Sequence, residues 1–142
     1  MNALLLIAHG SRREASNQEV RDLAARVARV AAGHFDMVIP AFLEIAEPDI
    51  PGGVDRCVAA GATHVNVVPY FLSAGRHVAA DIPEQLEQAR HRHPGIVLQQ
   101  SSYLGRHAAI PDALLSLALD GPDPDVQTQT VEQKPAQGNS GV

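Results

Sequence analysis

Two histidines and a glutamate, His9, Glu44 and His77, stand where three apolar runs of the chain end. His9 closes Leu4-Leu5-Leu6-Ile7-Ala8 and is followed by Gly10, Ser11, Arg12 and Arg13. Glu44 follows Met37–Leu43. His77 comes in a loop after Val65-Asn66-Val67-Val68-Pro69-Tyr70. Two imidazoles and one carboxylate form a good ligand set for Fe(II), Co(II) or Ni(II). The same groups accept protons, because a histidine ordinarily titrates near pH ~6.5 and is mostly neutral at neutral pH. Glu44 could orient a histidine, take a proton or ligate a metal. Arg12, Arg13 and Arg76 adjoin the two histidines, which suggests carboxylate or phosphate recognition. Tyr70, Phe71 and Leu72 add apolar surface. Together these residues suit a large planar ligand with an acidic rim.

These side chains can act together only if the intervening elements bring them to one place. Four apolar residues bounded by Gly10 predict a strand buried on both faces, as in a parallel sheet. Glu14 to Ala32 predicts an amphipathic helix with Val20, Leu23, Ala24, Val27, Val30 and Ala31 inward. Its start would be capped by Ser11 or Ser16, and Asp22 and Arg26 would pair across one turn. Pro40 within the second strand, which ends at Leu43, places that strand at a sheet edge. Asp49 caps a short helix that ends at Gly61 and turns Cys57 inward. The third strand leads through the loop Phe71-Leu72-Ser73-Ala74-Gly75-Arg76 to His77. A helix then opens near Asp81, with Pro83 in its first turn, and runs to about His91. A fourth strand, Ile96 to Gln100, and a last helix, roughly Pro111 to Leu119, complete the pattern.

The alternation βαβαβαβα predicts an α/β fold: a flavodoxin-like, three-layer arrangement with a four-stranded parallel sheet of order 2-1-3-4 and helices on both faces. In such sheets ligands bind beyond the carboxyl ends of the strands. That edge is where His9, Glu44 and His77 would meet. The domain is expected over residues 1–119. Residues 120–142 are rich in Pro, Asp, Gln, Gly, Thr and Ser and read as a disordered tail.

The 142 residues carry a formal net charge of −5, with hydrophobic residues at 45% and a single cysteine. An acidic chain argues against nucleic acid and anionic membranes as partners. One thiol builds no disulfide framework, and no apolar run is long enough for a leader or a span. The expectation is a soluble cytoplasmic protein.

Four stretches carry a resemblance: Ala8-His9-Gly10-Ser11-Arg12, Phe42-Leu43-Glu44-Ile45-Ala46-Glu47-Pro48, Val67 through His77, and Asp81-Ile82-Pro83. In order and spacing they resemble the small sirohydrochlorin chelatases of siroheme and cobalamin synthesis, over roughly Ala3 to Leu119. The resemblance implies a class II chelatase fold. It implies a lyase that inserts Fe(II), Co(II) or sometimes Ni(II) into sirohydrochlorin, the metal being a substrate and no cofactor being tightly bound. It matches the family's active-site histidines to His9 and His77 and its metal-contacting glutamate to Glu44. Its substrate-contacting loop matches Phe71, Leu72, Ser73, Ala74, Gly75 and Arg76. Larger relatives carry two such domains, so a single copy resembles the small form that pairs as a homodimer. Insertion strips water from a cation and removes two pyrrole protons, work suited to two histidines with weak, open coordination. An acidic protein must still hold a polycarboxylate, so Arg12, Arg13 and Arg76 are expected to make the cleft locally positive.

Plainer readings accompany these. His91 and His93 end a helix, where the dipole favours them. His34 and His64 read as surface residues without partners. His107 ends the fourth strand on the ligand side and is the one further histidine that could contribute. Gly10-Ser11 before a helix could cradle an anion, but neither the dinucleotide nor the P-loop pattern is present. A non-enzymatic tetrapyrrole or metal carrier, or a phosphate-binding module, are the competing functions.

Overall fold

The structure is a computed structural model that describes residues 1–126. Strands β1 (Asn2–Ala8), β2 (Met37–Phe42), β3 (His64–Pro69) and β4 (Val97–Gln100) form one parallel sheet in the order β2-β1-β3-β4. The expected topology is therefore present. β2 pairs with β1 alone, with Pro40 opposite Leu6, so the proline stands in an edge strand. Residues 127–142, most of the expected tail, lie outside the described residues.

The pleat of β1 divides the core. Ala3, Leu5 and Ile7 cluster with Val65 and Val67 of β3 under helices α2 (Ile50–Ala59) and α3 (Ile82–Arg92), through Ile50, Val54, Cys57, Ile82 and Leu86. Leu4 and Leu6 point to the other face, where Leu23 and Val27 of helix α1 (Glu14–Val30) lie beside them. Full burial of Cys57 pushes its thiol up to about 11, which fits packing and not reactivity.

Helix α1 corrects three expectations. Neither Ser11 nor Ser16 caps it: Arg13 occupies the cap position without a side-chain bond. The buried Asn17 does the work instead, accepting from the Ser11 amide and donating to the Ser11 carbonyl. An amide can satisfy a donor and an acceptor at once, which a hydroxyl in the same place does less well. Val30 is 81% exposed, while its neighbour Ala31 is buried, so the inward face at this end of the helix is carried by Ala31 and not by Val30. Asp22 accepts from Gln18, and its pair with Arg26 is not formed. Arg21 lies over the Phe42 ring and pairs with Glu14.

Two compact units divide at Ile110 and Pro111. The first carries the sheet with α1, α2 and α3. The second contains nearly all of helix α4 (Ile110–Leu119), close to its expected bounds. No helix among the described residues is long and apolar enough to cross a membrane.

Candidate functional site

Strand β1 delivers His9 to the carboxyl edge of the sheet, and the turn after β2 is built onto it. The Leu43 amide donates to the Ala8 carbonyl, and the Glu44 amide to the His9 carbonyl. The chain then reverses. Ile45 has φ of 70°, and the Ala46 amide donates to the Glu44 carbonyl, two residues back. This is the strained form of γ-turn, rare for a β-branched residue. The Phe42 amide donates to the Pro48 carbonyl and closes the loop. Gln85 of α3 donates to the Leu43 carbonyl from the other side. Glu44 is thus held by main-chain bonds on a short tether.

His77 arrives differently from expectation. It is not in the loop. It begins a π-helical turn, His77–Asp81, that runs directly into α3. The turn is anchored by Gly75, whose carbonyl accepts from the Val78 and Ala79 amides. Asp81 is correspondingly not the cap that opens the helix: it makes no capping bond, because helical structure has already begun four residues earlier.

The two imidazoles meet edge to face, with ring centroids 4.4 Å apart and planes at 87°. Each is backed by a carboxylate. His9 donates through Nε2 to Glu44 Oε1 at 2.8 Å, and His77 donates through Nδ1 to Asp81 Oδ2 at 2.8 Å. The His9 side chain is 43% exposed and that of His77 42%, so both rings stay open to a ligand. No three His, Cys, Asp or Glu side chains among the described residues converge as a ready-made metal cage. Such an arrangement can hold a cation weakly and receive protons.

Beside the pair lies a cleft of about 360 Å³ lined by Leu43, Glu44, Asp49, His77, Asp81, Glu84, Gln85 and Gln88. Its lining is acidic, where a locally positive cleft was expected. Arg12, Arg13 and Arg76 are exposed outside it, and none forms an ion pair among the described residues.

The loop Phe71 to Arg76 is exposed from Leu72 onward. Phe71 packs partly on the core and lies 6.3 Å from the His77 ring, whereas Tyr70 turns to the α1 face. Tyr70, Phe71 and Leu72 therefore do not form one apolar wall, since alternate residues at a strand end face opposite ways. The loop is held from behind. The Gly105 amide donates to the Phe71 carbonyl, and a Cβ on Gly105 would lie 1.9 Å from the Leu72 carbonyl oxygen.

Other histidines fall outside this group. His107 does not end β4: it follows a 3-10 turn, Leu104–Arg106, and lines a separate cavity of about 570 Å³ with Ser101 and Tyr103. His93 pairs with Asp55 across α2 and α3. His64 is exposed but bonds Thr63. Sequence reasoning missed Asp81 as a partner of His77, although the i,i+4 spacing was visible. It also missed Gly105 and Gln85, whose partners are remote in sequence.

The CbiX family model matches residues 3–120. The chain belongs to the CbiX family. A sirohydrochlorin ferrochelatase of Bacillus subtilis is 34% identical over 105 residues, covering 72% of this chain and 39% of that protein. A sirohydrochlorin cobaltochelatase of Methanococcus maripaludis is 38% identical over 86 residues, covering 61% of this chain and 58% of that protein. The CbiX chain thus spans less than two thirds of these relatives' length. A crystal structure of a cobalamin biosynthesis CbiX protein from Marinobacter aquaeolei superimposes with a TM-score of 0.67 at 26% identity, covering 84% of this chain and 96% of that one.

Proposed function

We propose that this CbiX-family chain is a lyase that inserts iron(II) or cobalt(II) into sirohydrochlorin. The observation that carries the reading is the His9–His77 contact at the carboxyl edge of the sheet, with a carboxylate behind each ring. The chemistry is an exchange. A divalent cation gains four ring nitrogens, two pyrrole N–H bonds break, and two protons leave through bases of the protein.

His9 and His77 act as a transient metal handle and as the proton acceptors. Glu44 orients His9 and contributes its second oxygen to the cation. The acidic cleft concentrates the divalent ion, and the open coordination lets it go. The loop Phe71 to Arg76 carries the macrocycle, and Arg12, Arg13 and Arg76 hold its carboxylate rim. The same ligand set accepts nickel. The catalytic domain comprises residues 1–119, works as a homodimer in the cytoplasm, and needs no resident cofactor.

The test is anaerobic metallation of sirohydrochlorin followed by absorbance, with Fe(II), Co(II) and Ni(II) in competition. Insertion should exceed the uncatalysed rate and fall at least ~100-fold in His9→Ala and His77→Ala. Unchanged rates in both variants would remove the proposed site. Tight stoichiometric retention of metal without acceleration would make the protein a carrier.

A further inference from the structure

We infer that Asp81 is a positioning residue that sets the tautomer of His77, so that the site contains two carboxylate–imidazole dyads of opposite ring polarity. A carboxylate can only accept, so the 2.8 Å contact places the proton of neutral His77 on Nδ1 and leaves the Nε2 lone pair open. His9 is the reverse. Its proton lies on Nε2 toward Glu44, and Nδ1 is open. Each ring therefore offers one lone pair, and the two come from different ring nitrogens.

Besides lining the acidic cleft, the Asp81 side chain has one polar partner. It makes no capping bond to the helix that follows, and among the described residues its side chain bonds only His77. The i,i+4 spacing puts both groups on one side of the π-helical turn. Turns of that kind are frequent at functional sites. The Asp81 side chain is only 34% exposed, so water competes less for its oxygen than at the more open Glu44.

The inference rests on the proposed metal insertion and deepens it. Two pyrrole protons must leave for each cation that enters. With two dyads, each proton has its own acceptor: the pyrrole N–H bond breaks, an imidazole N–H bond forms, and the carboxylate behind the ring stabilises the imidazolium. The protons then pass to solvent. Without Asp81, neutral His77 reverts toward the Nε2–H tautomer that a free histidine side chain favours, and its open lone pair moves to Nδ1.

The test uses the full chain labelled with 15N-histidine. The wild-type ring should show Nδ1–H at His77. Asp81→Ala should shift it toward Nε2–H, and Asp81→Asn, which keeps an acceptor oxygen, should hold the Nδ1–H form. In metallation assays Asp81→Ala should lower kcat about 10–100-fold, with KM for sirohydrochlorin unchanged. An unchanged tautomer in Asp81→Ala, or a raised KM at constant kcat, would overturn the assignment. Should that variant not fold, Asp81→Leu keeps the branched shape without the acceptor and gives the same reading. If the wild-type protein does not metallate sirohydrochlorin, the proposed function fails, while the His77 tautomer still decides the role of Asp81.

Discussion

The carbonyl oxygen of Glu44 lies 1.9 Å from where a Cβ on Gly10 would be, and Gly10 has φ of 95°. The glycine after His9 is therefore required by the turn that carries Glu44.

Gly10→Ala should damage the site twice. The backbone conformation alone costs about 1–3 kcal/mol for a residue with a side chain. The clash also pushes the Glu44 turn away from His9. Thermal unfolding should show the stability loss. Metal insertion should fall on the order of 100-fold, as expected for a misplacement near 1 Å. Wild-type activity in a folded variant would contradict this coupling.

Gly105 plays the equivalent part for the loop from Phe71 to Arg76, through the Leu72 carbonyl. Gly105→Ala should displace that loop while leaving the histidine pair in place. The expected signature is a raised KM for sirohydrochlorin with the affinity for free cobalt(II) unchanged, read by titration of each ligand separately.

Arg12, Arg13 and Arg76 are exposed and without ion pairs among the described residues. Charge reversal to Glu should raise KM for sirohydrochlorin severalfold and leave kcat near wild type. The difference should shrink with added salt, because exposed charges are screened. No change would mean that the macrocycle is held mainly by apolar contact.

Asp55 joins α2 to the end of α3. The hydrogen bond from His93 holds its carboxyl below the ordinary value of 3.8. Burial opposes this, and Arg92 adds to the lowering. A depressed folded value means stability that is complete above the ordinary carboxylate range and is lost as pH falls through the folded value. Asp55→Asn should therefore lower the melting temperature at pH 7 and converge on wild type in strong acid. The side chain is 41% exposed, so the effect is modest. Melting temperatures that coincide at every pH would show that the pair contributes nothing, and an offset that does not close in acid would show that the charge of Asp55 is not the cause.

Much of the fold is legible in local pattern. Period and punctuation are short-range properties, so the run at Leu4, the stripe at Ile50, Val54 and Cys57, and the cap at Asp49 each declare their element. Pro40 points to the edge strand, because a missing donor is poorly tolerated in the middle of a sheet. Residue types after two strand ends, and past the loop that follows a third, likewise point to His9, Glu44 and His77. The arrangement of those residues is decided elsewhere. Which nitrogen of each imidazole is occupied depends on Glu44 and Asp81, and the π-helical turn that aims His77 depends on how the chain leaves Gly75. Gly10 and Gly105 owe their identity to carbonyls 34 and 33 positions away in sequence. The acidic cleft, with the arginines outside its lining, arises only when the turn after β2 meets the π-helical turn and α3. Such properties come from contacts between distant segments, and local sequence cannot encode them because the partner is absent until the chain has folded.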